Sequence, residues 1–251
     1  MATTGKRSLP RLVLLAVVAL LLFAGFIALG NWQVARRAWK LDLIARVDQR
    51  IHAAPVPAPV RADWPQVDAV DDEYRHVRVQ GRFLNQDETL VFASTRLGNG
   101  YWVMTPLRTP AGEIVLINRG FISTDFAAPA RYRDMARPEG PVTIEGLLRM
   151  SEPHGAFLHR NQPAAHRWYS RDVAALARAM KLPPQAVAPY FIDADATTPA
   201  PDAPVGGLTV VHFYNEHLSY AITWYALALL TLLGGAIAFR YEWRRAAGKS
   251  D

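Results

Sequence analysis

The residues best suited to chemistry in this chain are a histidine and two aromatic residues in the segment NEHLSYAITW, residues 215–224. If this segment is helical, His217, Tyr220 and Trp224 fall on one face, because residues three and four apart are neighbours on a helix. The small Ala221 shares that face. A planar tetrapyrrole can lie against such a surface, with the imidazole of His217 as an axial ligand of its iron.

A simpler interpretation of His217 stays open at this point. A histidine where the chain re-enters a membrane also forms hydrogen bonds with lipid headgroups or with a neighbour such as Glu216. Ionisable residues at membrane depth are nevertheless functional candidates by default. The pattern therefore predicts either an iron ligand or an interfacial histidine.

Other patterns that support catalysis or metal binding are absent from the sequence. It has no GxSxG, HExxH or GxxxxGK[ST] motif. It has no cysteine, which excludes disulfides, zinc–thiolate sites and CxxC redox chemistry. His154, His159 and His166 match no strong template for a metal site, and the acidic run 71–73 is typical of a solvated turn.

Two uncharged apolar runs bracket the chain, and each has about the length needed to cross a ~30 Å hydrocarbon layer as a helix. They predict transmembrane helices at 12–30 and 218–239, with an extramembrane segment at 31–217 between them. A cleaved signal peptide is the alternative for the first run, with cleavage after Gly30. The run is longer than a typical h-region of about 7–15 residues, which favours an uncleaved anchor.

The charge distribution predicts the orientation. The tails 1–11 and 240–251 carry +3 and +2, which is five of the six net positive charges, so the segment between the spans is nearly neutral. The basic balance is thus a topology signal and not the footprint of a nucleic-acid partner. It predicts cytoplasmic termini and a periplasmic central domain. The first eleven residues leave no room for a mitochondrial presequence, which favours a bacterial inner membrane.

The segment between the spans divides by composition. Residues 31–52 continue a helical pattern and predict a juxtamembrane helix, and the proline-rich stretch 53–65 predicts an extended linker. Residues 66–213 predict a β-rich domain with a helix at 170–180 that Ser170 caps. Strands are expected at 74–83, 90–93, 101–107, 114–118, 142–149, 190–193 and 208–213. Gly98-Asn99-Gly100 reads as a hairpin turn.

The predicted fold class is therefore a membrane protein with two transmembrane α-helices. They flank one extramembrane α+β domain dominated by an antiparallel sheet or small barrel.

Six segments also carry a resemblance to a known family. They are GNWQVARRAWK at 30–40, YRHV and GRF at 74–83, GYWVMTPL at 100–107, INRGF at 117–121, EGLLR at 145–149, and NEHLSYAITW at 215–224. In this order, and with the two apolar runs, they resemble the Surfeit-locus-1 family of cytochrome c oxidase assembly proteins. The resemblance covers essentially the full length. Phe121 departs from it, since tryptophan is common there.

The resemblance implies a non-enzymatic role in delivering haem A to the catalytic subunit of a haem-copper oxidase. The family's proposed haem ligand maps onto His217, with Tyr220 and Trp224 in the same motif. The implied partners are that oxidase subunit, haem A synthase and the lipid bilayer, with no nucleic acid. Two alternatives stay open: a scaffold for the oxidase subunit that binds no haem, and a hydrolase on a membrane hairpin. Arg119 is expected either to reach a carboxylate at a strand-end turn or to be structural.

Overall fold

The computed structural model describes residues 9–153, 155, 159–196, 203–209 and 215–247. The chain separates into two compact units, Met1–Ala45 with His212–Asp251, and Arg46–Val211. In chain order, the helices and strands are α1 Leu9–His52, β1 Val56–Pro57, β2 His76–Phe83, β3 Thr89–Thr95, β4 Gly98–Arg108, β5 Ile114–Ser123, α2 Pro129–Arg133, β6 Pro141–Met150, α3 Val173–Ala179, β7 Val187–Ala194 and α4 His217–Ala247.

The first unit is built on the two long apolar helices. Helix α1 runs without interruption through the predicted span and the predicted juxtamembrane helix. In the most apolar 18-residue stretch of α1 no part is buried, and in the corresponding stretch of α4 only 6% is buried. Both helices are long and apolar enough to cross a membrane, and exposed apolar surface on this scale is typical of membrane-spanning helices.

The second unit is a small barrel. Its strands follow the order β1-β2-β6-β7-β5-β4-β3, and a further short pairing between β2 and β4 closes the ring of five strands from β2 to β4. Neighbours in this ring are antiparallel except β5 and β7. Two apolar helices flanking a barrel-forming domain confirm the predicted fold class.

Alternating side chains divide the core between two apolar clusters. On β2, Val77 and Val79 are buried while Arg78 and Gln80, which alternate with them, are exposed, as the period-2 pattern predicts. One cluster contains Val77, Val79, Leu107, Val115, Ile117, Leu148, Ala188, Tyr190 and Ile192. The other packs α3 against the sheet and includes Met104, Ile114, Leu116, Trp168, Val173, Leu176 and Phe191.

The predicted hairpin turn at residues 98–100 is shifted by two residues. Arg96 and Leu97 form the turn, and β4 begins at Gly98, which has a φ of +98°. Gly100 lies inside the strand, where an added Cβ would stand 2.1 Å from the carbonyl oxygen of Ile122. This glycine is therefore required by close strand approach and not by a turn.

Two further predictions are corrected at element boundaries. Helix α3 is capped by Asp172, whose carboxylate accepts a 3.0 Å hydrogen bond from the Ala175 N–H. Ser170 does not cap it, because its hydroxyl accepts hydrogen bonds from Gly155 and Asn161. The strand expected at 208–213 is not formed at residues 208–209, and residues 210–213 lie outside the described residues.

Candidate functional site

The two apolar helices meet at a close contact next to their polar ends. An added Cβ on Gly30 would stand 2.4 Å from the Tyr225 ring, so only glycine permits this approach. The Tyr225 hydroxyl donates a 2.8 Å hydrogen bond to Asn31 Oδ1. Ala221 and Ala228 of α4 are also buried. Small residues thus let α1 and α4 pack closely, as is usual between membrane helices.

His217 is the first residue of α4, and its ring is bonded to Gln33 of α1. The distance from Nδ1 to Gln33 Oε1 is 2.8 Å, and Gln33 is buried while His217 is half-buried. Because a carboxamide oxygen only accepts, Nδ1 carries the proton in the neutral ring, which leaves the lone pair on Nε2. No described residue is hydrogen-bonded to Nε2. The pair has the form of a metal-ligating histidine oriented by an outer hydrogen bond.

The two predicted aromatic site residues lie in different surroundings. Trp224 is half-buried and stacks on Phe26 of α1, with ring centroids 5.8 Å apart and an angle of 23° between the ring planes. Tyr220 is 56% exposed. The contact between helices therefore includes His217 and Trp224, whereas Tyr220 lies at its outer side.

Asn215, two residues before His217, has an unsatisfied polar atom. Its Oδ1 is buried and has no hydrogen-bond partner among the described residues. A buried acceptor without a donor costs about 1–3 kcal/mol. This atom provides a place for a donor that the described part of the chain does not supply.

The barrel contains a second polar centre, at Asp193. This buried carboxylate accepts four hydrogen bonds. Asn118 Nδ2 and Arg171 Nη1 donate to Oδ1 at 2.7 and 2.8 Å, and Arg149 Nη1 and Thr209 Oγ1 donate to Oδ2 at 3.0 and 2.9 Å. Every lone pair of the carboxylate is therefore occupied.

The arginines of this centre are held by further carboxylates. Arg171 Nε donates to Glu152 at 3.0 Å, and Arg149 Nε donates to Glu73 at 3.2 Å. Burial opposes ionisation of Arg171, but Asp193 and Glu152 together raise its pKa above the ordinary value. A cavity of about 230 Å³ opens beside this centre. Because both guanidiniums are paired, the centre is best explained as structural.

Arg119 reaches a carboxylate, but from the middle of β5 and not from a strand-end turn. Its Nη1 is 2.9 Å from Glu88 Oε2, and both side chains are buried. Glu88 also accepts hydrogen bonds from Tyr132, Arg137 and Thr105. Burial lowers the pKa of Arg119, while Glu88 acts in the opposite direction. This cluster fastens the segment after α2 to the sheet.

The remaining histidine candidates form no metal site in the described part of the chain. No group of three or more His, Asp or Glu residues there is arranged to hold a metal ion. His159 stacks on Tyr169 at 4.8 Å, and His166 lies exposed with a φ of +51°. His154 lies outside the described residues.

The partners of His217 were missed by the sequence interpretation, although a signal for them exists. GNWQ and NEHLSYAITW lie at corresponding ends of the two predicted spans. Antiparallel spans joined by one domain bring such ends together, so Gln33 and His217 were candidates for contact. Periodicity within one helix does not reveal this pairing.

Comparisons with known proteins agree with the motif-based resemblance. The sequence model of the SURF1 family matches residues 20–229. The chain is 36% identical over 231 residues to Surfeit locus protein 1 of Homo sapiens, covering 85% of this chain and 74% of the human protein. It is 36% identical to a SURF1-like protein of Monosiga brevicollis, covering 81% and 79%. It is 31% identical to Surfeit locus protein 1 of Takifugu rubripes, covering 84% and 91%.

Proposed function

Because this chain belongs to the SURF1 family, we propose that it is a non-enzymatic assembly factor for a haem-copper cytochrome c oxidase. Its proposed task is to hold haem A transiently and to aid its insertion into the catalytic subunit. The haem is the cargo that the protein hands over, not a resident cofactor. The partners are that subunit and, upstream, haem A synthase.

The observation that carries the haem proposal is the Gln33–His217 pair. Gln33 Oε1 lies 2.8 Å from Nδ1, which orients the ring and directs the lone pair to Nε2. Neutral imidazole is a common axial ligand of haem iron, and an outer hydrogen bond to its other nitrogen raises its basicity. Trp224, two turns along α4 from His217, provides an aromatic wall. The unsatisfied Oδ1 of Asn215 is an acceptor for a hydrogen-bond donor of the cargo.

The proposed location is a bacterial inner membrane, with both termini in the cytoplasm and the barrel in the periplasm. The charge bias of the tails supports this orientation. It puts His217 and Gln33 at the periplasmic end of the spans. A reporter fused after Asp251 is expected to read cytoplasmic, and one inserted at the Arg96–Leu97 turn to read periplasmic; the reverse would refute the orientation.

A scaffold that binds no haem is the second candidate, and one observation favours it. The two helices have contacts that are sufficient simply to hold them together, made by Gly30, Ala221, Tyr225 and Ala228. In that case the Gln33–His217 hydrogen bond serves only to join the two helices, and His217 binds no ligand. The oxidase subunit would then dock on the barrel or on the pair of helices α1 and α4, called the hairpin below.

The colour of the purified protein separates the two candidates. Full-length protein is expressed in cells that make haem A, purified in detergent and examined by absorption spectroscopy, and extracted haem is identified by mass. A Soret band with haem A in the extract supports the carrier. A colourless protein that still captures the oxidase subunit supports the scaffold. In the carrier, His217→Ala should lose the Soret band. His52→Ala is the matched control, because His52 is exposed and, among the described residues, is bonded only to Asp48 in its own helix turn.

A further inference from the structure

The face of α1 that contacts α4 continues beyond Gln33 into two basic residues. Residues 26, 30, 33, 37 and 40 recur at alternating steps of four and three and therefore lie along one face of the helix. The first three make the contacts with Trp224, Tyr225 and His217. Arg37 and Lys40 follow one and two turns later, on the side away from the apolar run.

Arg37 differs from its neighbour Arg36 in its surroundings. Arg36 is exposed, and its guanidinium lies 4.1 Å from the centroid of the Trp39 ring. Arg37 is half-buried, and none of the described residues makes an ion pair or hydrogen bond with it. Glu216, the acidic residue next to His217, is exposed and forms no ion pair with Arg37 in the described part of the chain. A partly desolvated cation on this face thus has spare donors.

We propose that Arg37 binds a carboxylate of the tetrapyrrole whose iron is bound by His217, an inference that rests on the function proposed above. Four residues of helix rise place Arg37 about 6 Å along the axis from Gln33. A macrocycle with its iron at His217 and its carboxylate edge directed away from the apolar run brings those carboxylates to Arg37. Guanidinium matches carboxylate with two parallel hydrogen bonds.

This arrangement specifies the class of cargo. The contact face carries the stacked rings of Phe26 and Trp224, the proposed iron ligand His217, and the cation of Arg37. It selects an iron tetrapyrrole with carboxylates along one edge and apolar substituents on the rest. A tetrapyrrole without free carboxylates loses one of the three interactions.

The test compares iron protoporphyrin IX (haemin) with its dimethyl ester, in which both carboxylates are masked. Each probe is titrated into the full-length protein in detergent and followed by absorbance. Wild-type protein is expected to bind haemin about tenfold more tightly than the ester, a typical value for one charge-assisted contact. Arg37→Gln removes this preference by weakening haemin alone. Arg36→Gln, which removes the same charge from another face, leaves the preference intact.

Two results would overturn the inference, and they are distinguishable. If wild-type protein binds both probes equally, and His217→Ala abolishes both spectra, iron ligation stands and the carboxylate contact is refuted. If neither probe gives a spectrum that depends on His217, the proposed function fails and the inference with it. The wild-type comparison needs no variant, so misfolding of Arg37→Gln does not prevent a decision.

Discussion

The barrel and the helix hairpin each hold a histidine, and the two rings are bonded in opposite ways. In the barrel, His76 Nδ1 is 2.7 Å from the Ala53 carbonyl oxygen, and Nε2 is 2.8 Å from Asp195 Oδ2. Both ring nitrogens therefore face oxygen acceptors. In the hairpin, only Nδ1 of His217 faces an acceptor, Gln33 Oε1, at 2.8 Å.

This difference indicates which of the two histidines can bind a metal ion. An imidazole between two acceptors is satisfied only as the cation, which has no lone pair for a metal. An imidazole with one acceptor keeps a lone pair in its neutral form. The buried carboxylates of Asp193 and Glu88 in the barrel each accept several hydrogen bonds. Buried amide oxygens without a donor among the described residues occur in both regions, at Asn85 in the barrel unit and at Asn215 near His217. The open Nε2 of His217 therefore makes the contact between α1 and α4 the better candidate for a binding region.

The largest expected effect is on the barrel, at Asp193. Asp193→Ala leaves Arg171 and Arg149 with one carboxylate partner fewer and Asn118 without its acceptor, so it should destabilise the protein by about 3–5 kcal/mol. Thermal unfolding of the full chain in detergent measures this. Asp71→Ala is the control, because the Asp71 side chain is 81% exposed. An Asp193→Ala protein as stable as the control would contradict the structural role of the cluster.

A large effect on binding, with a smaller one on stability, is expected at His217. His217→Ala should weaken haemin binding more than about 100-fold, since even the hydrogen-bond partners of metal ligands contribute 10–100-fold. Its stability should fall by about 1–3 kcal/mol, the cost of leaving the buried Gln33 Oε1 without its donor. His76→Ala should instead show normal binding and lower stability. If both variants lose haemin binding, the division between hairpin and barrel is wrong.

Gln33 should show an intermediate effect on the same binding. Gln33→Ala removes the acceptor that orients Nδ1 and should weaken haemin binding by about tenfold, with an altered spectrum. Gln33→Glu keeps an oxygen acceptor at the same reach and should restore most of the affinity. Absorbance titration measures both. Equal loss in the two variants would show that Gln33 acts only in packing.

The sequence predicted the fold where one repeating pattern determines it. The alternation of β2 is a local periodicity, and the two charge-free runs are a matter of local composition and length; both are confirmed. It misplaced features that depend on competing contacts: Ser170 is used by Gly155 and Asn161 and so does not cap α3, and Gly100 serves a close strand contact. The Gln33–His217 pair joins residues 184 positions apart. No local pattern contains such a distance, although the two motifs at matching span ends pointed to it.

The smallest expected effect is a pH dependence of barrel stability at His76. Burial lowers the pKa of His76, but the hydrogen bonds to Ala53 and Asp195 prevail and raise it above its ordinary value. A raised folded-state pKa means that this contribution to stability is complete below the unfolded pKa of about 6.5 and is lost as the pH rises through the folded pKa. The melting temperature of the wild type should therefore fall from pH 6 to pH 8 relative to that of His76→Gln. Since the glutamine variant removes this one titration and keeps the other six histidines, parallel curves for the two proteins would show that His76 is not the cation its two acceptors require.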